Sequence, residues 1–197
     1  MFRKLTTFSL ATLIATPAFA CNMTGKDELF MNLIRIGERS YHEPVPLAAP
    51  DIAYTDTNGV QRSLKDHAGK SMIVTFWHPD CAGCKVDLPR LNTFLEQNPE
   101  VDKSQLLQIS IEELNEGPYN EIVDRNDVRQ FLQTKSFGNI DGNVDMGNKI
   151  FSANCLIATP SHLMINSDGK ITDVLFGPLK WSESPFVDIA KNYLANY

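Results

Sequence analysis

Two cysteines three residues apart, Cys81 and Cys84, are the residues of this chain best suited to chemistry. A spacing of i, i+3 puts both sulfurs on one face of a helical turn, where they can bond without large strain. They follow an apolar, β-branched run, Ser71–Trp77, and open a helical stretch over 82–97. Free N–H groups and the positive end of the helix dipole favour an anion there. A cysteine pKa of about 8.5 can fall to about 3.5–7.5 in such a setting. Cys81, facing solvent, is then the attacking sulfur, and Cys84, deeper in the first turn, the resolving one. The same spacing is also half of a zinc site. A second CxxC is missing. His78, His162 or Cys155 could still join the two thiols in a zinc or copper module, since soft thiolates suit both metals. A purely structural bridge is the weaker alternative, because so short a loop closes little chain.

The elements around the pair follow from periodicity. Ser71–Trp77 and Leu106–Ile111 read as buried central strands, covered on both faces. Helices are expected over 82–97, with Pro89 as a kink, over Asp127–Lys135 and over 184–194. Ile52–Thr55 and Val60–Gln61 flank an Asn58–Gly59 turn, and Ser161–Ile165 and Ile171–Phe176 flank Asn166–Gly169; both read as hairpins. Residues 24–39, capped by Thr24, show Leu29, Leu33 and Ile36 at helical spacing. That predicts an N-terminal helix that packs on the domain or serves as an oligomer surface. Pro44, Pro46 and Pro50 make the following stretch an extended connector. Strand, helix, strand, helix, hairpin, helix is the order of an α/β three-layer sandwich, a mixed central sheet flanked by helices.

Composition narrows the function. The chain has 197 residues, 43% of them hydrophobic, enough for one well-packed domain without disulfide staples. Residues 1–20 read as a signal peptide: Arg3 and Lys4, an apolar stretch, then Ala18–Phe19–Ala20 as a cleavage site. The expected organisation is a signal over 1–20, the N-terminal helix and connector over 21–50, and the main domain over 51–197. Cleavage would leave Cys21 first, so a lipid anchor is the alternative to a soluble periplasmic protein. The formal net charge of −6 would fall to −8, since the signal carries two basic groups and no acidic one. That balance argues against a nucleic-acid partner, which needs clustered Lys and Arg.

The run Phe76–Trp77–His78–Pro79–Asp80–Cys81–Ala82–Gly83–Cys84–Lys85–Val86–Asp87–Leu88–Pro89 resembles the active-site segment of TlpA/ResA-like thioredoxins. Thr159–Pro160 with the strand after it, and Gly177–Pro178–Leu179–Lys180–Trp181, are similar to the family's cis-proline loop and to a segment before its last helix. The resemblance spans about residues 50–194 and implies a thioredoxin-like fold. It implies Cys81 and Cys84 as the redox pair, Pro160 as a cis proline, and Trp77, Thr159 and Pro160 as the substrate surface. It places Asp87 where reductive members carry a Glu that can relay protons to the resolving thiol.

Asp80 departs from the family pattern, which has Trp before the first Cys. A negative charge there opposes a thiolate and should make the pair a better reductant. The lack of a His between the cysteines also argues against a strongly oxidising centre. Cys155, five residues before Pro160, is read three ways: a buried inert thiol, a partner of Cys21, or a third redox thiol. The expectation is an exported thiol-disulfide oxidoreductase, reductase rather than oxidase, that needs no bound cofactor. It would act on disulfide-bearing proteins and be re-reduced by a membrane electron donor. A peroxidase is disfavoured because only Pro79 of the residues that chemistry needs ahead of the first Cys is present.

Overall fold

A computed structural model describes residues 34–35, 47–49, 53–111, 125–145, 147–154, 156 and 158–197. Their order is β1 (Ile34–Arg35), β2 (Leu47–Ala48), β3 (Ala53–Thr55), β4 (Gln61–Ser63), β5 (Met72–Trp77), α1 (Cys84–Gln97), β6 (Leu106–Ile111), α2 (Arg125–Thr134), β7 (Asn143–Asp145), α3 (Lys149–Ala153), β8 (Ser161–Ile165), β9 (Lys170–Phe176) and α4 (Phe186–Asn196). The strands form one mixed sheet in the order β1-β9-β8-β5-β6-β7-β3-β4, with β2 also on β9. β5, β6 and β7 run parallel, whereas β8 pairs antiparallel with β5, and β9 pairs antiparallel with β8.

β5 shows why the sheet has helices on both faces. All six of its residues are buried. Ile73 and Trp77 point into a layer with Leu88, Leu91 and Phe94 of α1, Val128 and Leu132 of α2, and Tyr193 and Leu194 of α4. Met72, Val74 and Phe76 point the other way, toward Leu64, Ile150 of α3 and Leu156. The alternation is that of a strand whose successive side chains face opposite layers. The β3–β4 hairpin is set by its turn. Asp56 accepts the amides of Asn58 and Val60, and Gly59 takes a φ of 86°, where a side chain would be strained.

The N-terminal segment differs from the helix expected over 24–39. Ile34–Arg35 is a strand, parallel to Val174–Leu175 of β9, and Leu47–Ala48 pairs antiparallel with the other end of β9. The outer edge of β9 offers unpaired backbone groups, and pairing them outweighs a marginal local helical pattern. The sheet therefore reaches back across the boundary drawn at residue 51. The rest of 24–39, and the oligomer surface expected there, lie outside the described residues, as do residues 1–20, Cys21 and Cys155. Among the described residues, no helix is long and apolar enough to cross a membrane.

Candidate active site

β5 ends at Trp77, and the chain turns through His78–Gly83 into α1. Two local bonds shape that turn: His78 Nδ1 accepts the Asp80 amide at 3.1 Å, and the His78 carbonyl accepts the Cys81 amide at 3.2 Å. Cys81 and Cys84 are joined by a disulfide, with Cα atoms 5.2 Å apart. The two sulfurs sit in different surroundings. Cys84 is 1% exposed within the apolar layer, whereas Cys81 is partly exposed beside the exposed Ala82. The Cys84 amide points at Cys81 Sγ across 3.0 Å. That amide is one of the free donors of the helix start, placed to stabilise negative charge on Cys81.

The Thr159–Pro160 peptide bond is cis. The Thr159 carbonyl oxygen lies 3.2 Å from Cys81 Sγ, so this loop and the outer sulfur share one patch of surface. Gly83 is what lets them approach. A Cβ at that position would sit 2.8 Å from Pro160 Cδ, closer than packed atoms tolerate. No φ constraint demands glycine here, since Gly83 has ordinary helical angles; proximity alone does.

Asp87 lies one turn beyond Cys84 on the same face of α1 and is fully buried. Its Oδ1 accepts two hydrogen bonds, from the Leu179 amide at 2.8 Å and Trp181 Nε1 at 3.0 Å. Its Oδ2 has no hydrogen-bond partner and faces His162 Nε2 at 3.7 Å. Burial pushes the Asp87 carboxyl above the usual carboxylate range, opposed first by the nearby His162. Burial also pushes His162 below its usual value, opposed by Asp87. Sequence reasoning singled out Asp87 but missed Trp181 and His162 as its partners. The available signal was a histidine inside an apolar strand two residues past Pro160.

Other expectations change on inspection. Trp77, expected on the substrate surface, is completely buried and packs against Phe131 with ring centroids 5.6 Å apart. It is the last inward-facing residue of β5, so strand parity turns it into the core. The Asp80 side chain is 82% exposed and 3.8 Å from Lys85 Nζ. Its charge is thus solvated and partly neutralised, which removes most of the opposition expected against a Cys81 thiolate. His78 uses Nδ1 in the turn, and His162 is spanned between Thr75 Oγ1 at 3.0 Å and the Gly177 carbonyl at 3.2 Å. Among the described residues, no three His, Cys, Asp or Glu side chains converge as a metal site.

Comparison with known proteins agrees with this geometry. The thiol-disulfide oxidoreductase ResA of Bacillus cereus is 26% identical over 129 residues, covering 66% of this chain and 68% of that protein. A thiol:disulfide interchange protein of the thioredoxin family from Chlorobium tepidum superposes with a TM-score of 0.56 at 19% identity, over 78% of this chain and 99% of that one. StoA from Bacillus subtilis gives 0.52 at 19% identity, over 70% of this chain and 100% of its own. The fold is thioredoxin-like, the CxxC pair is placed as in a redox disulfide, and residues 45–174 match the AhpC/TSA family, to which this chain belongs.

Proposed function

We propose that this protein is an exported thiol-disulfide oxidoreductase that reduces disulfides of other proteins. One observation carries the reading: an accessible sulfur, Cys81, lies against the Thr159 carbonyl while its partner, Cys84, is sealed behind it. In the reduced protein, Cys81 as thiolate attacks a sulfur of the substrate disulfide. A Cys81–substrate bond forms, and the displaced substrate thiolate takes a proton from water. Cys84 then gives its proton to Asp87, the buried carboxyl one turn away, and attacks Cys81 Sγ. The Cys81–Cys84 bond forms and the second substrate thiolate leaves. Two electrons have passed to the substrate, and a donor dithiol protein at the membrane restores the pair by the reverse exchange. Thr159, partly exposed, supplies the backbone surface on which the partner chain lies, whereas Pro160, expected on that surface, is buried behind it against Gly83.

The homology to ResA supports the reaction class. The solvated, Lys85-paired Asp80 leaves the direction of electron flow to the surroundings of Cys84 and Asp87. The signal-like first twenty residues support export, with release as a soluble periplasmic protein and a lipid anchor on Cys21 as the alternative. Turnover of insulin with dithiothreitol tests the reading. The wild type should accelerate precipitation, Cys81→Ser should not, and Cys84→Ser should accumulate mixed disulfides through Cys81. Full activity in Cys81→Ser would end the proposal.

A further inference from the structure

The two oxygens of Asp87 are not equivalent. Oδ1 already accepts two donors, so any proton the carboxyl holds or releases is on Oδ2. Oδ2 is buried, has no hydrogen-bond partner, and faces the Nε2 edge of His162. His162 is also fully buried and is held at both nitrogens. The Gly177 carbonyl can only accept, so Nε2 carries a hydrogen toward it, and Nδ1 in turn accepts from the Thr75 hydroxyl. The Nε2–H edge thus lies within reach of two acceptors, the Gly177 oxygen at 3.2 Å and Asp87 Oδ2 at 3.7 Å.

From this juxtaposition we infer that His162 is a positioning residue for the exchange reaction: its imidazole sets the proton affinity of Asp87, and through Asp87 the readiness of Cys84 to lose its proton. The role in exchange rests on the reading above; the coupling of the two groups does not. A carboxylate sealed in an apolar layer with one oxygen unpartnered is disfavoured, and it holds its proton above the ordinary carboxylate range. A buried base must be ionised when Cys84–SH needs it. When Asp87 is charged, a small movement brings Nε2–H from the Gly177 oxygen to Oδ2, so that the neutral ring donates a hydrogen bond to the carboxylate without gaining a proton. His162 therefore supports the ionised state, in which Asp87 takes the proton from Cys84. The groups acting on the pair come from each packed element: Arg90 from α1, Thr75 from β5, Gly177 after β9, and Leu179 and Trp181 from the segment before α4.

His162→Gln tests the inference, because a glutamine amide held by Thr75 and Gly177 does not set the imidazole Nε2–H edge against Asp87 Oδ2. The carboxyl carbon of Asp87 is titrated by NMR in the oxidised protein, where no exchange occurs. Asp87 in His162→Gln should bind its proton at least tenfold more tightly than in wild type. The acid limb of mixed-disulfide resolution should move up by the same factor. An Asp87 midpoint within threefold of wild type, in a folded variant, overturns the inference. If His162→Gln does not fold, the wild-type imidazole is titrated instead. Its resonances must show a second inflection at the Asp87 midpoint, as coupled groups require, and its absence overturns the coupling. These titrations are independent of turnover. Failure of insulin reduction would remove the proposed function and leave the coupling standing, and an unshifted Asp87 would do the reverse.

Discussion

The two sides of the Cys81–Cys84 bond are built on opposite principles. The outer side is assembled from backbone and small residues: Ala82, Gly83, and the Thr159 carbonyl beside Cys81 Sγ. It contributes shape, accessibility and a free amide, and asks little of any side chain. The inner side is assembled from buried polar side chains in an apolar layer: Asp87, Trp181, His162 and Thr75 behind Cys84. The outer side is thus accessible from solvent, whereas the inner side holds its polar groups where water does not screen them. Substitutions outside should change which partners react, and substitutions inside should change how the reaction depends on pH.

The largest effects should come from the sulfurs themselves. Cys81→Ser is expected to lose insulin reduction entirely, and Cys84→Ser to stop at the mixed disulfide, both visible on non-reducing gels. Trp77→Ala comes next and distinguishes core from surface. A buried indole packed on Phe131 should cost about 3–5 kcal/mol in urea unfolding with no selective loss of substrate affinity. A stable variant with raised KM would return Trp77 to the substrate surface. Gly83→Ala sits on the boundary between the two sides. Its Cβ, 2.8 Å from Pro160 Cδ, must displace the Thr159–Pro160 loop. About 1–3 kcal/mol of lost stability is expected, with slower attack by Cys81. Wild-type stability and rate would show that the close approach is dispensable.

The smallest effect is a pH dependence of stability. The folded protein holds the Asp87 proton above the ordinary carboxylate range, so it binds more protons than the unfolded chain there. This contribution is full below about pH 3.9 and is lost as pH rises toward the folded value. Asp87→Asn should therefore gain stability relative to wild type between acid and neutral pH. His162 acts in the opposite sense: held neutral by burial, it contributes above about pH 6.5, and the contribution is lost on acidification. Urea midpoints across that range check both, and a constant difference between Asp87→Asn and wild type would contradict the first.

Much of this was legible in the chain. The runs Ser71–Trp77, Leu106–Ile111 and Ser161–Ile165 declared themselves as strands because a sheet covered on both faces draws on short, mainly apolar and β-branched sequence. β7 was not legible: Asn143–Val144–Asp145 looks like a loop. It is buried all the same, because Asn143 Nδ2 donates to the Gln108 carbonyl and Gln108 Oε1 accepts the Asp141 amide. The strand β1 was hidden for a different reason, since its partner β9 lies about 140 residues away and only the fold supplies it. The cysteines and the Thr159–Pro160 loop could be read from type and spacing. The Asp87–His162 pairing could not, because it depends on the register of β8 against β5, which sets His162 opposite Thr75.

The reduction potential of the Cys81–Cys84 couple, measured by equilibration with glutathione or dithiothreitol, tests the central claim most directly. The account predicts reversible exchange at a potential near about −270 mV, in the range of a disulfide reductant. A value near about −120 mV, or a disulfide that does not exchange at all, would contradict it.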